Sequence, residues 1–408
     1  MGSTKDLRDA AGSLIGELGK KLVGAAAHAA HSAFTTEPFE ILTYRGYGNG
    51  TRAFVCGRVI EKRNIGASAD TDSVLKNLFN TYLRADSDPL SFARVTIEYA
   101  AGKTEMKADD EGFFSGWIEP AKPVADGDEW QKYNAELIPP PEHVTGSSEI
   151  IVPPDTARFG VISDIDDTVI QSRVSNFLQA ARTVMLGNAR TRLPFPGVAA
   201  FYEALRKGAG GDEKNPIFYV SSSPWNIYEV ITEFMDLQKI PKGPLILRDW
   251  DINLSALSSS RHTEHKSRAI RDIMQLYSSL EFILIGDSSQ EDPEIYQAIV
   301  SEFPDRVKAI YIRDVTRSAE RSASIKKLAD EVLAAHSTLV LAEDTLGASK
   351  HAAEQGWISS DALPDVKEEK RADEGKNDTK VATPDGGQPG SGKTPKVIGE
   401  SDKGGDST

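Results

Sequence analysis

Short apolar runs alternate with amphipathic stretches over the second half of the chain, and this pattern is typical of an α/β fold. Runs of three to five apolar, often β-branched residues predict strands that are buried on both faces. We predict six such strands, at 159–162, 217–220, 245–247, 282–285, 309–312 and 338–342. Apolar residues at helical spacing predict the intervening helices, at 176–186, 198–205, 225–237, 264–277, 293–302 and 318–335. The alternation favours a doubly wound, mainly parallel sheet, which we place at 153–358.

The preceding segment, 36–152, has the pattern of strands joined by tight turns. A glycine-rich turn at 46–50 separates two strand-like runs, and the turn Asp110-Glu-Gly-Phe113 precedes another. This turn resembles those of transthyretin-like and immunoglobulin-like repeats, which implies an all-β sandwich. The proline pair Pro153-Pro154 marks the predicted boundary with the α/β region.

Both ends of the chain differ from these two regions in hydrophobic pattern and composition. The arm 1–35 contains apolar residues at helical spacing, which suits a helix docked on a domain surface, an interfacial membrane helix or a flexible arm. The tail 359–408 is rich in Asp, Glu, Lys, Gly, Pro and Ser, and we predict that it is disordered. The segment 387–394 matches the nucleotide-binding P-loop pattern, but no strand precedes it and Pro395 opposes a helix after it, so we interpret the match as chance.

Composition narrows the classes of partner. The chain has 408 residues, a net charge of −14 and a single cysteine, Cys56. The acidic balance argues against general nucleic-acid binding, and one cysteine cannot form an internal disulfide, which favours a reducing compartment. No apolar run approaches the length of about 20 residues that a membrane span needs. We therefore expect a cytoplasmic protein, with peripheral membrane contact if the first helix is interfacial.

A cluster of acids follows the first strand of the α/β region. Asp164, Asp166 and Asp167 lie within four positions, directly after the buried run 159–162. Desolvation and like-charge repulsion both oppose the ionisation of carboxylates placed in this way. The pattern therefore predicts a nearby cation, most simply a divalent metal ion.

Further polar residues lie at later strand ends and helix starts. Ser221 ends the second strand, Lys266 begins a helix, and Asp287 and Asp292 follow the fourth strand. Each of these taken singly is typical of a helix cap or a solvated turn. Together with Asp164-x-Asp166-x-Thr168, and in this order, they resemble the four motifs of the haloacid-dehalogenase-like (HAD-like) phosphohydrolases.

The resemblance implies a division of roles. Asp164 is the implied nucleophile, which forms an aspartyl-phosphate, and Asp166 is the implied general acid and base. Ser221 and Lys266 would hold the phosphoryl oxygens, and Thr168 would fix the loop. The implied cofactor is Mg²⁺, with Asp164, Asp166, Asp287 and Asp292 as its metal-site residues. Asp167 is predicted to be structural, and Ser222 and Ser223 are predicted to cap the helix from Trp225.

The segments between the motifs leave no room for an inserted folded cap domain, so we predict a minimal cap and an open site that admits a bulky substrate. A narrower resemblance covers roughly 154–345 and concerns the catalytic domain of the actin-patch-associated phosphatidate phosphatases. It rests on Gly160-Val-Ile-Ser-Asp164-Ile-Asp-Asp-Thr-Val-Ile170, Tyr219-Val-Ser-Ser-Ser-Pro-Trp225, Leu247-Arg-Asp-Trp250, His265-Lys266 and Ile285-Gly-Asp-Ser-Ser-Gln-Glu-Asp292. This resemblance implies Mg²⁺-dependent release of phosphate from phosphatidate at a membrane surface, which yields diacylglycerol.

Six cations are predicted near the strand-end edge, where they would attract an anionic head group despite the overall charge. They are Arg190, Arg192, Arg248, Arg261, Lys266 and Arg268. Two other functions compete with a lipid phosphatase. One is a phosphatase of a phosphoprotein or a soluble phosphomonoester, and the other is a non-catalytic β-sandwich adaptor with a vestigial phosphatase domain.

Overall fold

The computed structural model describes residues 39–62, 87–124, 128–138, 144–170, 195–248, 259–378 and 396–398. The predicted arm 1–35, the predicted helix 176–186 and the P-loop-like segment 387–394 lie outside the described residues, as does most of the insertion that bears on the size of the cap. Among the described residues, no helix is both long and apolar enough to cross a membrane.

The first region is built from eight strands in one hydrogen-bonded sheet. The strands are β1 Phe39–Thr43, β2 Gly46–Gly48, β3 Ala53–Glu61, β4 Arg94–Tyr99, β5 Gly102–Lys107, β6 Phe113–Ile118, β7 Trp130–Ile138 and β8 Thr145–Ile151. Their order is β1-β3-β2-β8-β7-β4-β5, and β6 pairs with β3. All the pairs are antiparallel except β2 with β8. The predicted antiparallel β region is therefore confirmed, and its assignment as a sandwich stays a prediction.

The second region is a seven-stranded sheet with helices on both faces. The strands are β9 Phe159–Ser163, β10 Ile217–Pro224, β11 Leu245–Arg248, β12 Glu281–Asp287, β13 Val307–Arg313, β14 Thr338–Ala342 and β15 Lys396–Ile398. The helices are α1 Val198–Lys207, α2 Tyr228–Leu237, α3 Ser259–Leu276, α4 Asp292–Glu302, α5 Ala319–Ala334, α6 Thr345–Glu354 and α7 Leu363–Asp378. The order is β11-β10-β9-β12-β13-β14-β15, parallel except for the antiparallel edge strand β15. The predicted parallel α/β class is confirmed, while the HAD-like fold itself stays a prediction.

Alternate residues of each central strand enter two separate apolar cores. Val161 and Ile283 pack with α1, α2, α6 and α7 on one face of the sheet. Ile162 and Leu284 pack with α3, α4 and α5 on the other face. A strand that is covered on both faces has no polar side, which is why its sequence is a continuous apolar run.

The candidate chemistry lies where the order of the sheet reverses. Strand β9 is flanked by β10 on one side and β12 on the other, and the chain winds outward from it in both directions. Crevices at the carboxyl ends of strands form at such a switch point. The end of β9, where Asp164 follows, therefore opens onto a crevice between two neighbouring strand ends.

The two regions pack against each other through aromatic side chains. Tyr44 stacks on Trp225, with ring centroids 5.2 Å apart, and lies 4.1 Å from the ring of Tyr228. The Tyr277 hydroxyl donates to the Gly48 carbonyl at 2.9 Å. Residues of the β region thus contribute to both cores of the α/β region. The predicted domain boundary at 152/153 stays a prediction, but the regions on its two sides share buried contacts.

The predicted disordered tail, 359–408, is wrong over α7 and β15. Val366 is fully buried against the core on the α1 face. Glu369 accepts a hydrogen bond from the Ala200 amide at 2.6 Å, and Asp373 accepts one from the Gly197 amide at 3.3 Å. Helix α1 has no side-chain cap and no acid in its own first turn. The acids of α7 supply the negative charge that a helix N-terminus attracts, so a highly charged sequence folds there by docking.

Replacing Val366 with Asp is expected to lower the free energy of unfolding by about 3 kcal/mol, because it buries an unpaired carboxylate in an apolar site. Urea denaturation followed by circular dichroism measures the change. Lys367→Asp introduces the same residue at an exposed neighbouring position and should change stability by less than about 0.5 kcal/mol. Equal stability of the two variants would show that α7 does not dock in solution.

Candidate active site

Asp164 is held at the carboxyl end of the central strand. Its amide donates to the Ile285 carbonyl at 2.9 Å, which extends the pairing of β9 with β12 by one residue. Its side chain is almost fully buried. The position of this carboxylate is therefore set by the sheet rather than by a mobile loop.

A compact backbone turn follows Asp164. The Thr168 and Val169 amides both donate to the Ile165 carbonyl, and Asp167 has a left-handed backbone with φ of 59°. Aspartate tolerates this conformation better than most residues do, which agrees with the predicted structural role of Asp167. The Thr168 hydroxyl is buried and has no hydrogen-bond partner within the described part of the chain. The predicted role of its side chain in fixing the loop stays a prediction.

Lys266 brings two of the predicted acids together. Its ammonium lies 2.8 Å from Asp164 Oδ1 and 2.7 Å from Asp292 Oδ1, and its side chain is 4% exposed. Lys266 lies within α3, which begins at Ser259, and not at a helix start as predicted, while Asp292 begins α4. Residues that are distant in sequence are thus joined in one buried charge cluster.

The loop after β12 is organised by its own two acids. Asp287 Oδ1 accepts from the amides of Ser289 and Gln290, at 2.5 and 3.2 Å. Asp292 Oδ2 accepts from the Asp287 amide at 3.2 Å. Asp287 and Asp292 are both fully buried. Each carboxylate therefore holds the loop with one oxygen and presents the other to the crevice.

The cluster contains more negative than positive charge. Burial raises the pKa of Asp164 well above its usual value; Lys266 opposes this shift, and the other carboxylates add to it. Burial, together with Asp292, raises the pKa of Asp287 to about 6. Burial alone would lower the pKa of Lys266, but Asp164 and Asp292 outweigh it and raise that pKa. One ammonium is therefore insufficient to balance the acids that surround it.

The same acids fit a hard divalent cation. Asp164, Asp287 and Asp292 each offer a ligand atom, and these three atoms lie within 4.8 Å of one another. Within the described residues, Asp164 Oδ2 and Asp287 Oδ2 are buried without a hydrogen-bond partner. Carboxylate oxygens are the ligands that Mg²⁺ and Ca²⁺ prefer. A cation at this position would balance the charge and satisfy the buried oxygens.

The carboxylate of Asp166 points to the end of β10 and not into this cluster. Its Oδ2 accepts from the hydroxyls of Ser221 and Ser223, at 2.9 and 3.1 Å. The Ser223 amide in turn donates to the Ser221 hydroxyl at 2.9 Å. The prediction that Ser222 and Ser223 cap the helix from Trp225 is wrong. A short 3₁₀ helix, Trp225–Ile227, precedes α2; its cap position is Pro224, and no side chain caps it.

Gln290 links the parts of the site and was not singled out from the sequence. Its side chain accepts from Lys266 Nζ at 3.3 Å and donates to the Asp166 carbonyl at 3.2 Å. Arg321 supports this loop from α5, because its guanidinium donates to the Gln290 carbonyl at 2.7 Å and pairs with Glu294. Only the position of Gln290 between two predicted acids was visible in the sequence, and Arg321 lay outside every motif.

The predicted ring of cations is described only in part. Arg190 and Arg192 lie outside the described residues, as does the side chain of Arg261. Arg248 is half-buried at the end of β11, and Arg268 is exposed on α3. Lys266 is the member of this set that the structure places within the acid cluster.

Comparison with known proteins supports a phosphatase-type domain over this part of the chain. Residues 159–314 match the family model described as phosphatidate phosphatase APP1, catalytic domain. A phosphatidate phosphatase APP1 from Saccharomyces cerevisiae is 30% identical over 161 residues, which is 39% of this chain and 26% of that protein. An uncharacterized protein from Schizosaccharomyces pombe is 27% identical over 163 residues, which is 40% of this chain and 26% of that protein.

Similarities to solved structures are weak. A carbohydrate acetylesterase from Xanthomonas citri is 9% identical with a TM-score of 0.24, covering 65% of this chain and 66% of its own. A β-D-glucuronidase from Dictyoglomus thermophilum is 12% identical with a TM-score of 0.21, covering 74% of this chain and 53% of its own. At this level the similarities carry no argument about fold or function.

The strand-end acid cluster lies within residues 159–314, which match a class of phosphatase catalytic domains. Residues 159–314 match the family of the phosphatidate phosphatase APP1 catalytic domain, so the resemblance inferred from the motifs is confirmed over this segment. The chain spans 26% of the length of each of the two curated relatives.

Proposed function

We propose that this protein is a Mg²⁺-dependent phosphatase that releases phosphate from phosphatidate through an aspartyl-phosphate, on a HAD-like fold. One observation carries the proposal most directly. A buried carboxylate, Asp164, ends the central strand at the switch point of a parallel sheet and contacts the buried ammonium of Lys266. Phosphoryl transfer needs such a nucleophile, fixed in place and surrounded by groups that neutralise charge.

In the first step, an oxygen of Asp164 attacks phosphorus and the bond from phosphorus to the alcohol oxygen breaks. Lys266 lies beside the nucleophile, where its charge stabilises the additional negative charge on the phosphoryl oxygens. Asp287 and Asp292 would hold Mg²⁺ together with Asp164. The ion would supply further charge neutralisation and orient the phosphoryl group.

Asp166 transfers the protons in both steps. It protonates the departing alcohol oxygen and then accepts a proton from the water that attacks the aspartyl-phosphate. Ser221 and Ser223 hold its carboxylate through two hydroxyl hydrogen bonds, which fix its direction. Gln290 fixes the backbone of the same residue from the opposite side of the crevice.

The substrate assignment rests on the family match and on the activity for which the yeast relative is named. We expect phosphate release from phosphatidate in detergent micelles at a kcat/KM at least about tenfold above that for glycerol phosphate and for a phosphoserine peptide. Chelation of divalent ions should lower the rate by about 100-fold or more, and added Mg²⁺ should restore it.

The substrate panel also separates the competing functions. A preference for glycerol phosphate or for the phosphopeptide would refute phosphatidate as the substrate but would still support a phosphatase activity. Absence of phosphate release from every substrate, with Mg²⁺ present, would favour a non-catalytic adaptor. A rate of phosphate release that does not change on chelation would refute the proposed dependence on Mg²⁺.

A further inference from the structure

A cleft between the two regions of the fold adjoins the candidate active site. It has a volume of about 330 Å³ and lies between strands β3 and β6 on one side and the end of β11 and helix α3 on the other. Aromatic side chains dominate its walls. They are Tyr44, Tyr47, Phe54, Phe113, Phe114, Trp117 and Trp225.

Two connections tie this cleft to the catalytic groups. Trp225, in its wall, stands two positions after Ser223, whose hydroxyl donates to Asp166. His265, also in its wall, immediately precedes Lys266. A phosphate bound beside Asp164 and Lys266 would therefore lie close to the cleft along two segments of the chain.

Two aromatic rings of the cleft wall each lie beside an arginine. Trp117 is 37% exposed, and Phe113 is half-buried. The guanidinium of Arg52 lies 4.4 Å from the centroid of the Trp117 ring, and that of Arg58 lies 4.8 Å from the Phe113 ring. Arg58 is buried, whereas Arg52 is exposed, so Trp117 with Arg52 is the pair that has the aromatic and basic character of a surface meeting a lipid interface.

The charged residues of the cleft differ between the end near Lys266, which is basic, and the rest of the cleft, which carries carboxylates. His265 and Arg268 line the end near Lys266, where a phosphate is expected. Asp272 lies one helical turn beyond Arg268, and Asp109 lines the strand side. These two carboxylates oppose an anion deeper in the cleft, so the aromatic part suits an uncharged apolar chain.

We propose that this cleft, here called the acyl cleft, binds one acyl chain of the substrate while the phosphate lies at Asp164 and Lys266. The inference rests on the proposed function and adds a role for the β region, which contributes the aromatic walls on β3 and β6. A cleft of this volume that combines aromatic walls with a few charged groups has the size and the mixed lining of a ligand site. The acyl cleft thereby selects long-chain over short-chain phosphatidates.

The first test measures kcat/KM against acyl chain length, from dibutyryl to dioctanoyl phosphatidate, below the micelle concentration. For the unmodified protein the value should rise by up to about fourfold for each methylene that is buried. In Trp117→Ala the factor by which kcat/KM rises with each methylene should be at least about twofold smaller. Phe92→Ala removes an aromatic ring that is 54% exposed in the same β region but does not line the cleft, and it should keep the full rise.

The second test detects the chain directly. A phosphatidate with a brominated acyl chain should quench tryptophan fluorescence in an Asp164→Asn background, which prevents turnover. Trp117→Phe should remove part of this quenching while keeping an aromatic ring in the wall. This variant also keeps the test decisive if Trp117→Ala fails to fold.

The outcomes distinguish the two proposals. Hydrolysis of soluble phosphomonoesters but of no phosphatidate would overturn the proposed substrate. Hydrolysis of phosphatidate with the same chain-length dependence in Trp117→Ala, or quenching that Trp117→Phe leaves unchanged, would overturn the acyl cleft and leave the proposed function standing.

Discussion

Asp164→Asn is expected to lower kcat on phosphatidate by roughly three orders of magnitude or more, because an amide oxygen cannot take the place of a carboxylate as nucleophile. The two side chains have nearly the same shape, so the buried position at the end of β9 should accept the replacement. The substitution also removes one of the acids that crowd Lys266. Loss of activity should therefore occur without loss of the fold, which circular dichroism can verify.

The neighbouring acid supplies a matched control. Asp167→Asn makes the same chemical change three positions later, at a left-handed backbone position that asparagine favours. It should keep kcat within about threefold of the unmodified value. Acid quenching of a reaction with phosphatidate that is radiolabelled on its phosphate should trap labelled phosphate on the unmodified protein and on Asp167→Asn, but not on Asp164→Asn. Near-normal turnover by Asp164→Asn would refute the covalent route.

Lys266→Met is expected to impair both stability and activity. The substitution removes the ammonium that lies within 2.8 Å of two buried carboxylates and leaves them unpaired. Breaking a buried ion pair in this way costs about 3–5 kcal/mol of unfolding free energy. Loss of the charge beside the phosphoryl oxygens should also lower kcat by about 100-fold or more. Chemical denaturation and phosphate release measure the two effects separately.

Lys308→Met provides the comparison, since its lysine pairs with Glu281 at 2.7 Å but is 21% exposed. Water screens that pair, so its loss should cost less than about 1 kcal/mol. Added Mg²⁺ should restore part of the stability of Lys266→Met, because the ion can balance the acids that the lysine no longer pairs. If Mg²⁺ leaves the stability of Lys266→Met unchanged, the acid cluster does not bind the ion.

Much of the site was predictable because its residues occur at positions with a clear meaning in sequence. Asp164 follows a continuous apolar run, and such a run is a buried strand with its polar end at the sheet edge. Ser221 and Asp287 stand at comparable positions on later strands, whereas Lys266 lies within α3. The structure brings Asp164, Lys266, Asp287 and Asp292 into one cluster.

Other features were not predictable from local pattern. The composition around α7 predicts disorder. However, two of its acids accept hydrogen bonds from amides at the start of α1, and Val366 is buried in the core on that face. Ser223 looked like a helix cap, yet its hydroxyl donates to Asp166. In both cases the partner lies far away along the chain, and no local signal records it.

The sequence by itself determined the alternation of strands and helices, the buried central strand, and the set of acids at its end. These follow from periodicity and from the desolvation of charge, both of which act on neighbouring residues. Only the tertiary structure decided that Lys266 lies between Asp164 and Asp292, that Gln290 bridges Lys266 and Asp166, and that the two regions enclose an aromatic cleft. The physical reason is that these contacts join residues through packing across the sheet, which no pattern along the chain specifies.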